Sequence, residues 1–441
     1  MGYARRLLVL AWLALVPAAA AATPPIAHRE VLPNGIVLLV AERPAVPIVS
    51  VRAYVRAGSV FDPSGSPGLA NLTADLLTRG TTRRSGEELD RAIEFVGGSL
   101  DADAGRDGTT VGVSVLKKDL DLGLDLLAEV IRTPTFPDAE VARRVTELKA
   151  AIRRSMENPE SVASRELMQL VYPHHPYGHP VEGTLESVGT LDRERVLDFY
   201  RRHFRPDAMI VALVGAVTVS EARQAILARF GNWERPDAPT PAVSAPPPTP
   251  SDRTKTIERE LTQATVYLGR PAIRQNDPDY FALVVADYVL GGGSASRLYM
   301  KVREEAGLAY SVGSHVAPGR YGATTLISLQ TRNSEVTTAV EIVRRQMQRM
   351  STEPVLAQEL DLAKSYLIGS FPLRLDTSSK VASFLIGVED GGLGLDYADT
   401  FRREVARVSA EDVRRVSGVY FAPATFASVT VGDQASAPKA D

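Results

Sequence analysis

The stretch HFRPDAMIVALVGA, residues 203–216, is repeated in outline near the end of the chain as YFAPATFASVTVGD, residues 420–433. In both stretches a phenylalanine and a proline lead into a run of strand-forming residues that closes on a glycine. Recurrence at one fixed spacing predicts an internal duplication, and therefore two units of the same fold. The matched pairs share a spacing of 217 residues: Phe204 with Phe421, Pro206 with Pro423, Gly215 with Gly432 and, in the preceding helix, Val196 with Val413.

A proline-rich stretch separates the two units. PDAPTPAVSAPPPTPSDR, residues 236–253, has no apolar periodicity, which is typical of an extended, semi-rigid linker. The linker predicts an N-terminal domain over residues 23–235, a C-terminal domain over residues 254–435 and a short tail over residues 436–441. The chain has 441 residues, of which 44% are hydrophobic, so both domains can bury a core.

Apolar patterns within each unit predict both strands and helices. Residues 48–58 alternate apolar and polar side chains as a half-buried strand does, and residues 138–172 have the periodicity of one long helix. The second unit offers helices near residues 278–290 and 295–306, followed by two strands. We expect an α+β fold of two homologous domains, each a sheet backed by helices, that face each other like a clamshell.

The first 22 residues have the layout of a secretory signal peptide. Arg5 and Arg6 precede an apolar run over residues 7–16, and small residues follow up to Ala22. The apolar run is short for a membrane span, and no later segment is apolar for long enough. We therefore expect cleavage near residues 20–22 and an exported protein without a membrane span, in a bacterial periplasm.

The composition excludes several kinds of site and partner. The sequence contains no cysteine, which excludes disulfides, thiolate metal sites and cysteine nucleophiles. Its 50 basic and 53 acidic residues give a formal net charge of −3, and this balance gives no indication of a nucleic-acid partner.

The stretch GLANLTADLLTRGT, residues 68–81, predicts an amphipathic helix with an unusual polar face. Asn71, Ala74 and Asp75 have the i, i+3, i+4 spacing at which metallopeptidase helices carry two histidines and a glutamate. None of those three catalytic residue types is present here. An amide, a methyl group and one carboxylate form a poor zinc ligand set, and Ala74 cannot accept a proton from water.

This part of the chain, with GSVFDPSGSPGLA leading into the helix, resembles the pitrilysin/insulinase (M16) family of zinc metallopeptidases, in the branch similar to the mitochondrial processing peptidase. The resemblance extends from about Leu32 to Gly432. It implies that Asn71, Ala74 and Asp75 occupy the positions of the family's His-x-x-Glu-His motif, and that the position of a further glutamate ligand falls at or beside Ala151. We therefore expect no metal and no other cofactor in this chain.

The histidines do not restore a metal site. Five of the six are His174, His175, His179, His203 and His315, and only the stretch VYPHHPYGHP, residues 171–180, groups them. Proline at 176 and at 180 prevents a helix that would bring His175 and His179 together. We expect a proline-rich ordered loop.

The second unit keeps a signature of its own. LGGGSASRLYMKVREEAGLAYSVGS, residues 290–314, resembles the family's C-terminal segment that supplies an arginine and a tyrosine to the substrate, which implies these roles for Arg303 and Tyr310. A permanent cation and a phenol donor suit a carbonyl oxygen that is becoming an oxyanion. Because no Gly-Lys-Ser/Thr follows, the segment of Gly291, Gly292 and Gly293 is not a nucleotide loop; a substrate-facing loop and a tight helix connection are the alternatives.

The zinc ligands are missing from the first unit and the Arg303/Tyr310 pair is present in the second, and together these features lead to one functional hypothesis. The resemblance implies a non-zinc-binding subunit of an exported heterodimeric peptidase, inactive alone, whose homologous partner holds zinc and whose substrates are peptides. The alternative is a catalytically inactive scaffold or peptide-binding protein of the same fold.

Overall fold

The structure is a computed structural model that describes residues 26–246 and 253–433. The predicted signal peptide, the predicted tail and part of the predicted linker lie outside the described residues. Within those ranges the chain forms two mixed β-sheets with helices, so the predicted α+β class and two-domain architecture are confirmed.

The first sheet has six strands in the order β1-β2-β6-β3-β5-β4. Strands β2 and β6 are parallel, and all other neighbouring pairs are antiparallel. Its strands are β1 (His28–Val31), β2 (Val37–Glu42), β3 (Ile48–Val55), β4 (Ser99–Ala104), β5 (Thr109–Leu116) and β6 (Met209–Gly215). The helices of this half are α1 (Leu69–Leu76), α2 (Gly86–Phe95), α3 (Leu120–Arg132), α4 (Asp138–Glu157), α5 (Pro159–Val171), α6 (Leu185–Val188), α7 (Arg193–His203) and α8 (Val219–Phe230).

The prediction of one helix over residues 138–172 was wrong, because the chain turns between α4 and α5. Pro159 lacks a backbone N–H and disfavours helical geometry at the residue before it, and Asn158 is extended with ψ 119°. The Asn158 side chain then accepts hydrogen bonds from the backbone N–H groups of Glu160 at 2.8 Å and Ser161 at 3.2 Å. These contacts cap α5 and let it leave the direction of α4.

The second sheet has five strands in the order β7-β11-β8-β10-β9. Its strands are β7 (Thr254–Glu258), β8 (Gln263–Ala272), β9 (Ala309–Ala317), β10 (Ala323–Arg332) and β11 (Ala427–Gly432). The helices are α9 (Tyr280–Gly291), α10 (Val336–Thr352), α11 (Ala357–Ser370), α12 (Ser378–Gly391), α13 (Tyr397–Arg407) and α14 (Ala410–Tyr420). The helix predicted over residues 295–306 is a shorter π-helix, Tyr299–Glu305.

The two sheets repeat one topology. The order β2-β6-β3-β5-β4 corresponds strand for strand to β7-β11-β8-β10-β9, and the outermost corresponding pair, β2/β6 and β7/β11, is parallel in both. Helices α7 and α14 have the same bounds at the spacing seen in the sequence, and the glycine that closes each repeat is the last residue of β6 or β11. This shared topology supports the predicted duplication.

The halves are interlocked because each contributes one helix to the other half's sheet. Helix α12 packs on the first sheet, where Val381, Leu385 and Ile386 contact Ile210 and Val214 of β6. Helix α5 packs in the same way on β8 and β11 of the second sheet. Each sheet therefore has helices of its own half on one face and a helix of the other half on the opposite face.

Candidate functional site

The helix that carries the degenerate zinc positions is firmly built into the first half. Its apolar residues Leu69, Leu72 and Leu76 are buried, as their spacing predicts. At its start, the Asp62 carboxylate accepts hydrogen bonds from the backbone N–H groups of Gly68 and Ala70, both at 2.8 Å. These contacts satisfy backbone donors that an α-helix leaves free at its N-terminus.

The structure places the degenerate positions in three different environments. Ala74 is fully buried in the helix interface, and Ala151 is exposed on α4. Asn71 and Asp75 are half-buried, and the Asn71 amide nitrogen lies 3.5 Å from a carboxylate oxygen of Asp75. Only these last two side chains could offer an oxygen ligand, and both belong to the same face of α1.

The carboxylate of Asp75 is paired with a guanidinium group from α4. Arg144 donates to Oδ2 of Asp75 from Nε at 2.9 Å and from Nη2 at 2.8 Å. Burial raises the pKa of Asp75 above its ordinary value, and Arg144 opposes that rise. Arg144 also lies 3.0 Å from a carboxylate oxygen of Glu147, so α4 supplies both a cation and a second anion to this surface.

These residues do not fit a catalytic zinc ion. Such sites use three protein ligands and keep a fourth position for water, whereas here one carboxylate is paired with arginine and the other positions offer an amide and methyl groups. Across residues 26–246 and 253–433, no group of three or more His, Cys, Asp and Glu side chains is arranged to hold a metal ion.

The histidine-containing loop is a structural contact of the first half. His175 holds it with both ring nitrogens: Nδ1 accepts from the backbone N–H of Tyr177 at 3.1 Å, and Nε2 lies 3.0 Å from the carbonyl oxygen of Ser244. Burial lowers the pKa of His175 and of His179, which favours neutral rings. These contacts agree with an ordered loop that fastens the chain leading out of the first half.

The structure brings Arg303 and Tyr310 together at the surface of the second half. The guanidinium carbon of Arg303 lies 5.3 Å from the centroid of the Tyr310 ring. Tyr310 is 75% exposed and the Arg303 side chain 37% exposed, so both can reach a molecule outside this chain. A stacked cation and phenol are thus presented at one place.

A short reversal of the chain produces this contact. Arg303 lies on the π-helix, whose buried Val302 anchors it in the core of the second half. Gly307 then adopts a φ of 63°, in the left-handed region that favours glycine, and the chain enters β9 at Ala309, one residue before Tyr310. Two side chains seven positions apart in sequence therefore become neighbours.

The glycine segment before the π-helix has a packing role at its first positions. Gly291 ends α9, and a Cβ atom there would lie 2.4 Å from the backbone nitrogen of Ser314 in β9. A Cβ atom at Gly292 would lie 2.6 Å from the Cα atom of Tyr288. This geometry is that of a tight helix connection, and a substrate-facing role for Gly291, Gly292 and Gly293 stays a prediction.

Sequence reasoning did not identify two residues that shape these surfaces. The ring of Tyr299 lies 4.8 Å from the Arg303 guanidinium carbon, closer than the ring of Tyr310. Its position four residues before Arg303 on a predicted helix was a usable signal. Arg144 had no comparable signal, because it meets Asp75 only through the packing of α4 against α1.

No helix in the two described ranges combines the length and the apolar character that crossing a bilayer requires.

Comparisons with known proteins agree with this architecture. The profile described as "Insulinase (Peptidase family M16)" matches residues 37–185, and the profile described as "Peptidase M16 inactive domain" matches residues 190–367. Uncharacterized zinc proteases of Streptomyces coelicolor and Mycobacterium tuberculosis are 27% and 29% identical over 400 and 412 residues, covering 88% and 91% of this chain and 86% and 91% of the relatives.

Two solved structures share the fold. The peptidase M16 inactive domain from Pseudomonas fluorescens has a TM-score of 0.86 and 26% identity, and the alignment covers 92% of this chain and 98% of that one. A protease from Helicobacter pylori has a TM-score of 0.87 at 20% identity, covering 92% and 99% of the two chains. With both family profiles matched in sequence along one chain and the fold shared over most of its length, this protein belongs to peptidase family M16, the insulinase family.

Proposed function

We propose that this chain is the non-zinc-binding subunit of an exported heterodimeric M16 peptidase. In this proposal a homologous partner holds zinc, and this chain supplies Arg303 and Tyr310 to the partner's site. The mature chain acts in the periplasm after its signal peptide is removed. It is inactive alone and takes part in peptide hydrolysis only in the complex.

The observation that supports the proposal is a contrast between the two halves. On the first half, the one carboxylate at the degenerate zinc positions is paired with Arg144 at 2.8 Å. On the second half, Arg303 and Tyr310 lie in contact and remain exposed. An exposed, stacked arginine and tyrosine pair is of use to a molecule outside the chain, whereas the ion pair at Asp75 leaves the first half without a metal site.

The two exposed groups have complementary chemistry for a peptide bond under attack. The guanidinium of Arg303 offers several N–H donors and a permanent positive charge, and the Tyr310 hydroxyl offers one directed O–H donor. Both can donate to a peptide carbonyl oxygen, and the bonds strengthen as negative charge develops there. The attacking water and its activation belong to the partner, because Ala74 cannot accept a proton and the carboxylate of Asp75 is paired with Arg144.

The proposal is tested by isolating the tagged protein from its native host and assaying zinc and peptide hydrolysis in the eluate and in the chain alone. We expect a metal-free, inactive chain that elutes with a zinc-bearing homologue. In the reassembled pair, Arg303→Ala and Tyr310→Phe should each lower turnover by about 10²–10³-fold, as the loss of one oxyanion donor does. Arg407→Ala, which changes an exposed arginine of α13 outside this site, serves as the matched control.

The alternative is a scaffold or peptide-binding protein without a part in catalysis. It is favoured by the "inactive domain" description of the profile that matches residues 190–367, and by the poor ligand set on α1. A scaffold has no need of the two exposed donors. Two results would establish this alternative and overturn the proposed peptidase subunit. One is elution without a zinc-bearing homologue, and the other is a reassembled pair in which both substitutions leave hydrolysis unchanged.

A further inference from the structure

Arg303 is enclosed by two aromatic rings. Its guanidinium carbon lies 4.8 Å from the ring centroid of Tyr299 and 5.3 Å from that of Tyr310. Both distances are within the range in which a cation is attracted to the face of an aromatic ring. Two rings that contact one guanidinium restrict the directions in which its N–H groups can point.

The ring of Tyr299 projects from a helix of an unusual type. Tyr299 and Arg303 lie on the π-helix, a rare conformation with i→i+5 hydrogen bonds that occurs mostly as single turns and is frequent at functional sites. The side chain of Val302 anchors this turn because it is fully buried. The backbone N–H of Leu308 also donates to the carbonyl oxygen of Val302 at 2.9 Å. The ring of Tyr299 is therefore fixed by the helix that also carries the arginine.

Charged neighbours do little to orient this arginine. Within the part of the chain that the structure describes, its single ion-pair contact is with Oε1 of Glu304 at 3.6 Å, longer than a good hydrogen bond. A surface ion pair of that kind contributes little to side-chain order. The aromatic rings are thus the main contacts that set the direction of the guanidinium.

We propose that Tyr299 is a positioning residue for Arg303. Its ring holds the guanidinium against Tyr310 so that the N–H groups face outward in a fixed direction, toward the substrate carbonyl. This inference rests on the function proposed above, in which Arg303 contacts the substrate. Tyr299 itself does not contact the substrate.

The first test uses the chain alone and needs no partner. In protein labelled with ¹⁵N-arginine, the Nε–Hε resonance that disappears in Arg303→Lys identifies this side chain. We expect a ring-current shift of that resonance that persists in Tyr299→Phe, which keeps the aromatic face, and that falls in Tyr299→Leu to the contribution of the Tyr310 ring. Tyr420→Leu removes a ring 5.6 Å from Arg270 elsewhere in this half and should leave the Arg303 resonance in place.

The second test uses the reassembled pair with its zinc-bearing subunit and a fluorogenic peptide. We expect Tyr299→Leu to lower kcat by about 3- to 30-fold, the range that corresponds to one partly desolvated cation–π contact, with little change in KM. Tyr299→Phe should retain nearly full activity, and the Tyr420→Leu control should be unaffected.

The outcomes separate the two proposals. If Tyr299→Leu reduces the ring-current shift and leaves kcat unchanged while Arg303→Ala still lowers turnover by about 10²–10³-fold, the positioning role is overturned and the proposed function stands. If Arg303→Ala has no effect on turnover, the proposed function fails and the positioning role fails with it. A resonance unchanged by Tyr299→Leu overturns the positioning role directly.

Discussion

At the scale of single residues, position 75 shows how a half-buried carboxylate is kept ordered by an ion pair. A carboxylate that faces α4 without a metal needs another cation, and Arg144 meets it with two N–H donors. A buried or half-buried carboxylate left unpaired costs more than the pair itself contributes. The side chain of Asp75 is 15% exposed, so this ion pair is part of the packing between α1 and α4.

Replacing Arg144 by methionine should therefore destabilise the protein. We expect the free energy of unfolding at pH 7 to fall by about 1–3 kcal/mol, because the carboxylate of Asp75 loses its cation. Burial already raises the pKa of Asp75, and loss of Arg144 raises it further. The native state then holds its proton to higher pH than the unfolded state does, so the cost grows as pH rises from the unfolded-state pKa to the raised native pKa, is full above the native pKa and shrinks in acid.

Urea unfolding at pH 7 and at pH 4 measures this effect. Arg143→Met is the matched control, since Arg143 lies on the same helix and, among the described residues, forms ion pairs with Glu140 and Glu147 of that helix and not with Asp75. The double variant Arg144→Met with Asp75→Asn should recover most of the free energy of unfolding that Arg144→Met loses. Equal stability of the Arg144 and Arg143 variants would show that the ion pair contributes nothing.

At the scale of secondary-structure elements, the break between α4 and α5 has consequences for the whole fold. Had residues 138–172 formed one helix, α5 could not lie against the second sheet. Pro159 stops α4, and Asn158 satisfies two backbone N–H groups at the start of α5. This cap fixes the direction in which α5 crosses to β8 and β11.

Substitution of the capping residue Asn158 should lower the stability of the protein. Asn158→Ala should lower the free energy of unfolding by about 1 kcal/mol, because two N-terminal donors of α5 lose their side-chain acceptor. Asn158→Ser, which keeps an oxygen at this position, should remain within a few tenths of a kcal/mol of the parent protein. Chemical unfolding followed by circular dichroism decides the matter, and an alanine variant as stable as the serine variant would contradict the capping role.

At the scale of the whole molecule, the halves exchange α5 and α12. A polar junction accompanies the exchange: at the end of α12, Asp390 accepts from Arg56 Nε at 2.8 Å and from the Tyr54 hydroxyl at 3.3 Å. Arg320 of the second half joins the same carboxylate and also donates from its backbone to Asp107 at 2.9 Å. Apolar and charged contacts thus connect the halves on both sheets.

This exchange predicts that neither half folds alone. Fragments 23–246 and 253–441 each leave one sheet face uncovered and one helix without its sheet, so we expect each alone to bind a hydrophobic dye and to unfold without a cooperative transition. Mixing the two fragments should restore a cooperative urea transition. A sharp transition in either isolated fragment would show that the exchanged helix is dispensable.

The sequence alone determined a large part of this account. Local patterns sufficed for the α+β class and the two units, because strand alternation and helical periodicity are properties of neighbouring residues, while the degenerate zinc motif at Asn71, Ala74 and Asp75 stays a prediction. The spacing that joins Phe204 to Phe421 likewise identified the duplication, which the shared sheet topology supports. The family followed from the same letters, and the matched profiles confirm it.

Only the tertiary structure decided how these parts meet. The break at Asn158 reversed the prediction of a single long helix, since helical periodicity continues on both sides of a proline. The pairing of Asp75 with Arg144, the exchange of α5 and α12, and the contact of Arg303 with Tyr310 depend on elements that approach one another in space. Apolar periodicity shows which face of an element is buried, but it does not show which other element covers that face.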